Sequence, residues 1–133
     1  MITAAVMTDA EFIQAFEDVT LEEFHHRDHV RAAWCYLREL PLIQALDRFT
    51  TSIKRYAAAQ GKPQPYHETI TWAYLFLIHE RMRDGESWDE FAARNPELLS
   101  WRPSILDRYY RAETIASDHA RHTFLFPDLA SNL

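Results

Sequence analysis

The chain has 133 residues, and a length that buries roughly two-thirds of its unfolded surface around one core is read as a single domain over 1–133. With 47% apolar and 26% charged residues it sits in the globular range, away from disordered compositions. A net charge of −6 opposes the basic patch that a phosphate backbone requires, so nucleic acid is not an expected partner, and two glycines cannot furnish a glycine-rich phosphate loop or a nucleotide cofactor site.

All basic residues but Lys54 and Lys62 are arginines, which suit bidentate pairing with carboxylates and stacking on aromatics. Cys35 is the lone cysteine, which excludes an internal disulfide and a multi-cysteine metal site and points to a reducing compartment, the cytoplasm. The first twenty residues have no basic start followed by an apolar stretch, and the longest apolar run, Trp72 to Ile78, is too short for a bilayer. No membrane partner is expected; a homo-oligomer is compatible with the composition.

Thr8 and Glu11 have the spacing of a capping box and Met7 with Phe12 that of a hydrophobic staple, which predicts a first helix from about Asp9 to Asp18. Thr20 with Glu23 repeats the box. Phe24, Val30, Ala33, Trp34 and Leu37 then mark one face of a second helix ending near Glu39, before Pro41. Spacing leaves open whether it runs from Leu21 or restarts near His26, where Asp28 has capping chemistry. Leu42, Ala45, Leu46, Phe49, Ile53 and Tyr56 define a third helix, stopped by Gly61, Pro63 and Pro65, with Gln60 to Pro65 as a loop.

Within the segment from His67 to Arg83 the sequence is apolar on nearly every side between Ile70 and Ile78, which predicts a fourth helix at the centre of a bundle and the most buried of the set. Ser87 with Glu90 caps a helix over Trp88 to Arg94, and Pro96 and Pro103 break the remainder into short pieces around Leu98 and Leu106 to Tyr110. No period-two alternation occurs. The expected fold is all-α, a single compact helical bundle of about four main helices plus short C-terminal helices.

The chemistry-bearing residues gather in two segments. His26 and His29 are one turn apart and share a helix face with Val30, Ala33 and Leu37, whereas His25 is offset by about a hundred degrees. His67 and Glu68 open the most apolar segment. Three imidazoles with an open position suit a catalytic divalent transition ion, iron, zinc, copper or nickel, on His26, His29 and His67. Asp28 or Glu68 would then serve as further ligand, orienting acceptor or general base, with Glu22 a weaker candidate.

A metal-free alternative uses His67 and Glu68 as acid and base for a condensation, cyclisation or isomerisation. A third reading is a non-enzymatic module that binds a small molecule. The bland reading has core histidines hydrogen-bonded to neighbours, with His67 capping the fourth helix. Trp34, Tyr36, Tyr66 and Trp72 are candidates to contact a small, aromatic substrate, against the alternative that they fill the core. Ser117 to Asp128 reads either as a lid or as a tail docked by Phe124 and Phe126.

The F-x-H-x-D-H-x-x-x-A-W-x-Y-L pattern over Phe24 to Leu37, the Y-H-E-T-I-T segment over Tyr66 to Thr71 and the S-x-x-A-R-x-x-F-x-x-P-D stretch over Ser117 to Asp128 resemble a family of small all-helical bacterial proteins. The resemblance covers most of the chain. It supports His26, Asp28, His29, His67 and Glu68 as site residues and names no reaction.

Overall fold

A computed structural model describes residues 3–61 and 66–129 of the chain, and among them the regular structure is helical with no strand. The chain divides after Tyr66 into two compact units. No helix of the described residues is long and apolar enough to cross a membrane.

The first unit comprises a 3₁₀ turn at Ala4–Val6 followed by α1 (Asp9–Glu17), α2 (His26–Glu39) and α3 (Leu42–Gln60). Thr8 closes the expected capping box: its backbone N–H donates to Glu11 Oε1 at 2.9 Å and its Oγ1 accepts from the Glu11 N–H at 3.1 Å. Phe12 and Phe16 carry the buried face of α1. The C-terminus is a Schellman arrangement, with Val19 N–H donating to the Phe16 carbonyl and Thr20 N–H to that of Ala15. Val19 takes the left-handed position, at φ 58°, where glycine is usual.

That closure overturns the second capping box. The Thr20 hydroxyl and N–H are both turned back onto the Ala15 carbonyl, so Thr20 finishes α1 instead of opening α2. α2 starts only at His26, where the Asp28 carboxylate accepts the His25 N–H at 2.9 Å. It packs along α3, and α1 lies against both. Every residue from Val30 to Leu37 is buried. Arg31 is among them because its guanidinium donates to the carbonyls of Ala4 (2.6 Å) and Met7 (2.8 Å) and to Asp9 Oδ1 (3.0 Å), and lies over the Phe12 ring.

α3 buries Ala45, Leu46, Phe49, Ser52, Ile53 and Tyr56, the expected face with Ser52 added and Leu42 left half-exposed, and Gly61 ends it at φ 60°. Gln60, expected in the loop, is its last helical residue. Pro63 and Pro65, expected to stop the helix, lie outside the described residues.

The second unit holds α4 (Glu68–Arg81), α5 (Trp88–Arg94), α6 (Pro96–Leu99), a 3₁₀ turn at Ile105–Arg108, α7 (Ala112–Ile115) and α8 (Asp118–His122). Ser87 and Glu90 form their capping box. α4 is not the most buried helix; α2 is. On α4 only Thr69, Ala73, Tyr74, Leu75 and Ile78 are fully covered, while Ile70, Trp72, Phe76 and Leu77 stay half-exposed. An all-round apolar sequence states what would gain from cover, not how much cover the rest of the chain supplies.

Residues 123–129 form an extended tail docked on this unit. Thr69 Oγ1 shares its proton between the carbonyls of Ala120 and Thr123 and accepts from the Leu125 N–H, while Tyr110 donates to the Leu125 carbonyl at 2.7 Å. Asp128 accepts from the Arg111 N–H and the Thr114 hydroxyl. Phe124 stacks on Trp72 at 5.6 Å.

A β-branched residue at a left-handed helix end costs on the order of 1–2 kcal/mol. Val19→Gly is therefore expected to raise stability by about 1 kcal/mol, read as a higher urea midpoint at unchanged slope. An unchanged or lower midpoint would show that the Val19 side chain contributes more through contact than its backbone loses.

Candidate functional site

His26 and His29 lie in the first turn of α2, His26 as the first helical residue. The His29 ring packs on Phe24 with centroids 4.4 Å apart, and Phe24 in turn lies against Phe16 and Tyr56. Among the described residues nothing hydrogen-bonds to the His29 ring. Burial, and then the neighbouring His26, push its pKa down to about 3, so the imidazole is neutral at any physiological pH. One oxygen of Asp28 accepts the His25 N–H and so closes the start of α2.

His67 belongs to the second unit and is the N-cap of α4. Its Nδ1 accepts from the Ile70 N–H at 3.1 Å, so its Nε2 carries the proton and donates to the Ile115 carbonyl at 2.8 Å. Burial lowers its pKa against the opposing bond to Ile115, and the Arg121 guanidinium adds to the lowering. Both ring nitrogens are engaged with backbone. Glu68 is the first residue of α4 and half-buried. Among the described residues no group of three or more His, Cys, Asp or Glu is gathered so as to hold a metal ion.

The four aromatic candidates separate. Trp34 is 1% exposed, with the Arg38 guanidinium 4.7 Å above its ring, and is a core residue. Tyr66 is half-buried, with Lys54 Nζ 4.9 Å from its ring centre. Trp72 is held between Phe76 and Phe124, and its Nε1–H, although buried, has no partner among the described residues. Tyr36 lies at a cavity.

That cavity is an open groove of about 290 Å³ in the first unit, lined by Asp9, Ala10 and Ile13 of α1, Cys35, Tyr36, Arg38 and Glu39 of α2, Leu40, and Arg48 of α3. The Tyr36 hydroxyl donates to Glu17 Oε2 at 2.7 Å and meets Ser52 Oγ at 3.1 Å, and Arg48 Nη2 donates to the same Glu17 oxygen at 2.8 Å. Burial would raise the Glu17 pKa, but the Tyr36 bond and the Arg48 charge outweigh it and hold the carboxyl below its usual range. Burial and the Glu17 bond raise the Tyr36 phenol, which stays protonated. Burial and then Asp9 push the Cys35 thiol up to about 12, so it is no nucleophile. Asp9 Oδ2 accepts from Arg38 Nη1 at 3.1 Å, and Arg38 Nε stands 3.4 Å from Glu39.

Sequence reasoning singled out Tyr36 in this set and missed Asp9, Arg38 and Arg48. The signal available was the arginine bias together with Arg38 four residues after Trp34, the helical spacing that stacks a guanidinium on an indole. Comparison of the chain with protein-family models, curated proteins and solved structures finds no match.

His67→Ala removes the cap on Ile70 and leaves the Ile115 carbonyl unpaired, with an expected cost of about 1–3 kcal/mol. His67→Asn, which keeps a capping oxygen, should lose less, and equal losses would show that the cap contributes nothing. For His29 the unfolded chain takes up a proton near the usual 6.5, whereas the folded chain refuses it until about 3. Stability from this group is complete above that upper value and falls as pH drops through the window. Between pH 7 and pH 5 the loss should be on the order of 1–2 kcal/mol. His29→Leu should flatten that slope in urea titrations; an undiminished slope would place the acid sensitivity elsewhere.

Proposed function

We propose that this protein binds a small molecule, and that the binding site is the groove beside Tyr36. The observation that carries the reading is the groove itself, a concavity of about 290 Å³ at the lower edge of the size range of ligand sites, lined by apolar residues together with a few polar and charged groups. Ala10, Ile13, Cys35 and Leu40 offer apolar surface, and the Tyr36 phenol is held in one orientation by Glu17 and Ser52. A small, flat, aromatic metabolite fits that lining. The resemblance of the Phe24–Leu37 and Tyr66–Thr71 motifs to small bacterial helical proteins and a cytoplasmic location belong to the same proposal.

A second reading, a metal-dependent enzyme, draws its support from His29. A neutral, desolvated imidazole without a hydrogen-bond partner, one turn from His26, has the protonation state that a divalent transition ion requires. In that reading His26 and His29 are the ligands, and His67 would join only by giving up its two backbone bonds. The acid–base reading has the least support, because an imidazole with a pKa of about 3 is a feeble base at neutral pH and both His67 nitrogens are occupied.

The test is a ¹⁵N nuclear magnetic resonance screen of a small aromatic library on the intact chain. Binding should shift amides of Ala10, Ile13, Tyr36 and Leu40, and Ile13→Trp, which fills the groove, should abolish the shifts. Hits that map elsewhere and survive Ile13→Trp overturn the proposal. The second reading is checked by elemental analysis of untagged protein after equilibration with zinc, iron, copper or nickel. It requires near one equivalent of bound ion, lost in His29→Ala; no retained ion, or retention by the variant, rejects it.

A further inference from the structure

Resting on the reading of the groove as a binding site, we infer that its ligand is a small monocarboxylate with an apolar, ring-sized body, whose carboxylate is taken by Arg48. The charges at the groove are not equivalent. Arg38 is committed to other partners: its Nη1 donates to Asp9, its Nε stands by Glu39, and its guanidinium carbon lies 4.7 Å from the centre of the Trp34 ring. Asp9 is committed as well, since its two oxygens divide between Arg31 and Arg38. Glu39, at the end of α2, is 71% exposed at its side chain and is paired with Arg38.

Arg48 differs from all three. Among the described residues it makes one hydrogen bond, from Nη2 to Glu17 Oε2, and its guanidinium lies 5.8 Å from the centre of the Tyr36 ring. One edge is therefore fixed in place, while among the described residues the Nε and Nη1 donors make no hydrogen bond. A guanidinium oriented by one carboxylate and stacked on an aromatic ring is preorganised to take a second, planar carboxylate through its free donors. The C-terminal carbonyls of α2 and the N-terminal amides of α3 meet across Leu40 and Pro41, so the two helix dipoles oppose one another there and leave the choice of sign to the side chains. The volume sets the body: about 290 Å³ with Ala10, Ile13 and Leu40 on its walls admits one ring and excludes a nucleotide.

The experiment uses phenylacetate and its neutral near-isostere phenylacetamide, titrated separately into the ¹⁵N-labelled chain at low salt. Phenylacetate should shift the amides of Ala10, Ile13, Leu40 and Arg48, with a dissociation constant at least tenfold below that of phenylacetamide. Arg48→Met should weaken phenylacetate to the level of the amide and leave the amide unchanged. Because that variant also strips Glu17 of its cation, Arg48→Lys is measured beside it; it keeps the charge and Glu17's partner but loses the planar fork, and should fall between the two. If both probes shift the groove equally, the carboxylate assignment is wrong while the groove remains a binding site. If the discrimination persists in Arg48→Met, another cation takes the carboxylate and the assignment is overturned. If every shift maps outside the groove, the underlying reading fails with it.

Discussion

The first unit is organised around a guanidinium that water does not reach. Arg31 sits in the middle of α2 at 7% exposure, and a charge in that position is tolerated only when every donor has an acceptor. Ala4 and Met7 supply carbonyls and Asp9 supplies a carboxylate, so the 3₁₀ turn and the start of α1 are tied to α2 by the requirement to satisfy one side chain. Removal of one partner from such a set costs on the order of 3–5 kcal/mol, because the other stays buried and unpaired. Phe12, under the guanidinium, adds a cation–π contact to the same junction.

From this junction the polar order runs outward to the groove. Asp9 holds Arg31 with one oxygen and Arg38 with the other, which sets Arg38 over Trp34 and fixes one wall. The opposite wall is set by Glu17, which accepts from Tyr36 and Arg48 at the same oxygen. Both acids belong to α1, one at each end. α1 presents two carboxylates, eight residues or about two turns apart, to arginines on two other helices, and the apolar lining of the groove lies among these anchor points.

The histidines divide by the same criterion of satisfied and unsatisfied groups. His67 works as a bracket, with one nitrogen on the first turn of α4 and the other on the end of α7, which is structural employment in full. His29 packs on Phe24 and makes no hydrogen bond among the described residues, and burial and the neighbouring His26 keep it neutral and a source of acid sensitivity. Identical residue types at the mouths of two helices thus acquire opposite characters, because burial penalises the charged imidazole in both but only one finds partners.

What the sequence by itself determined was the helical character and most helix ends. Period, capping boxes at Thr8 and Ser87, and Gly61 are local signals, complete within a few residues, so they can be read without knowing what lies across the core. Spacing left the start of α2 open between Leu21 and His26, because Thr20, which has the chemistry of a second cap, is claimed by the closure of α1 through Val19, a residue with no left-handed signature. The tertiary structure alone decided which polar side chains are buried and which arginine is left with donors to spare. Only Arg38 carries a local mark, its spacing from Trp34; which carboxylate holds Arg31, Arg38 or Arg48 depends on Asp9 and Glu17, from 22 to 31 residues away. Pairings at that separation carry no periodic trace, since they are fixed by how three helices pack and not by the order of residues on any one of them.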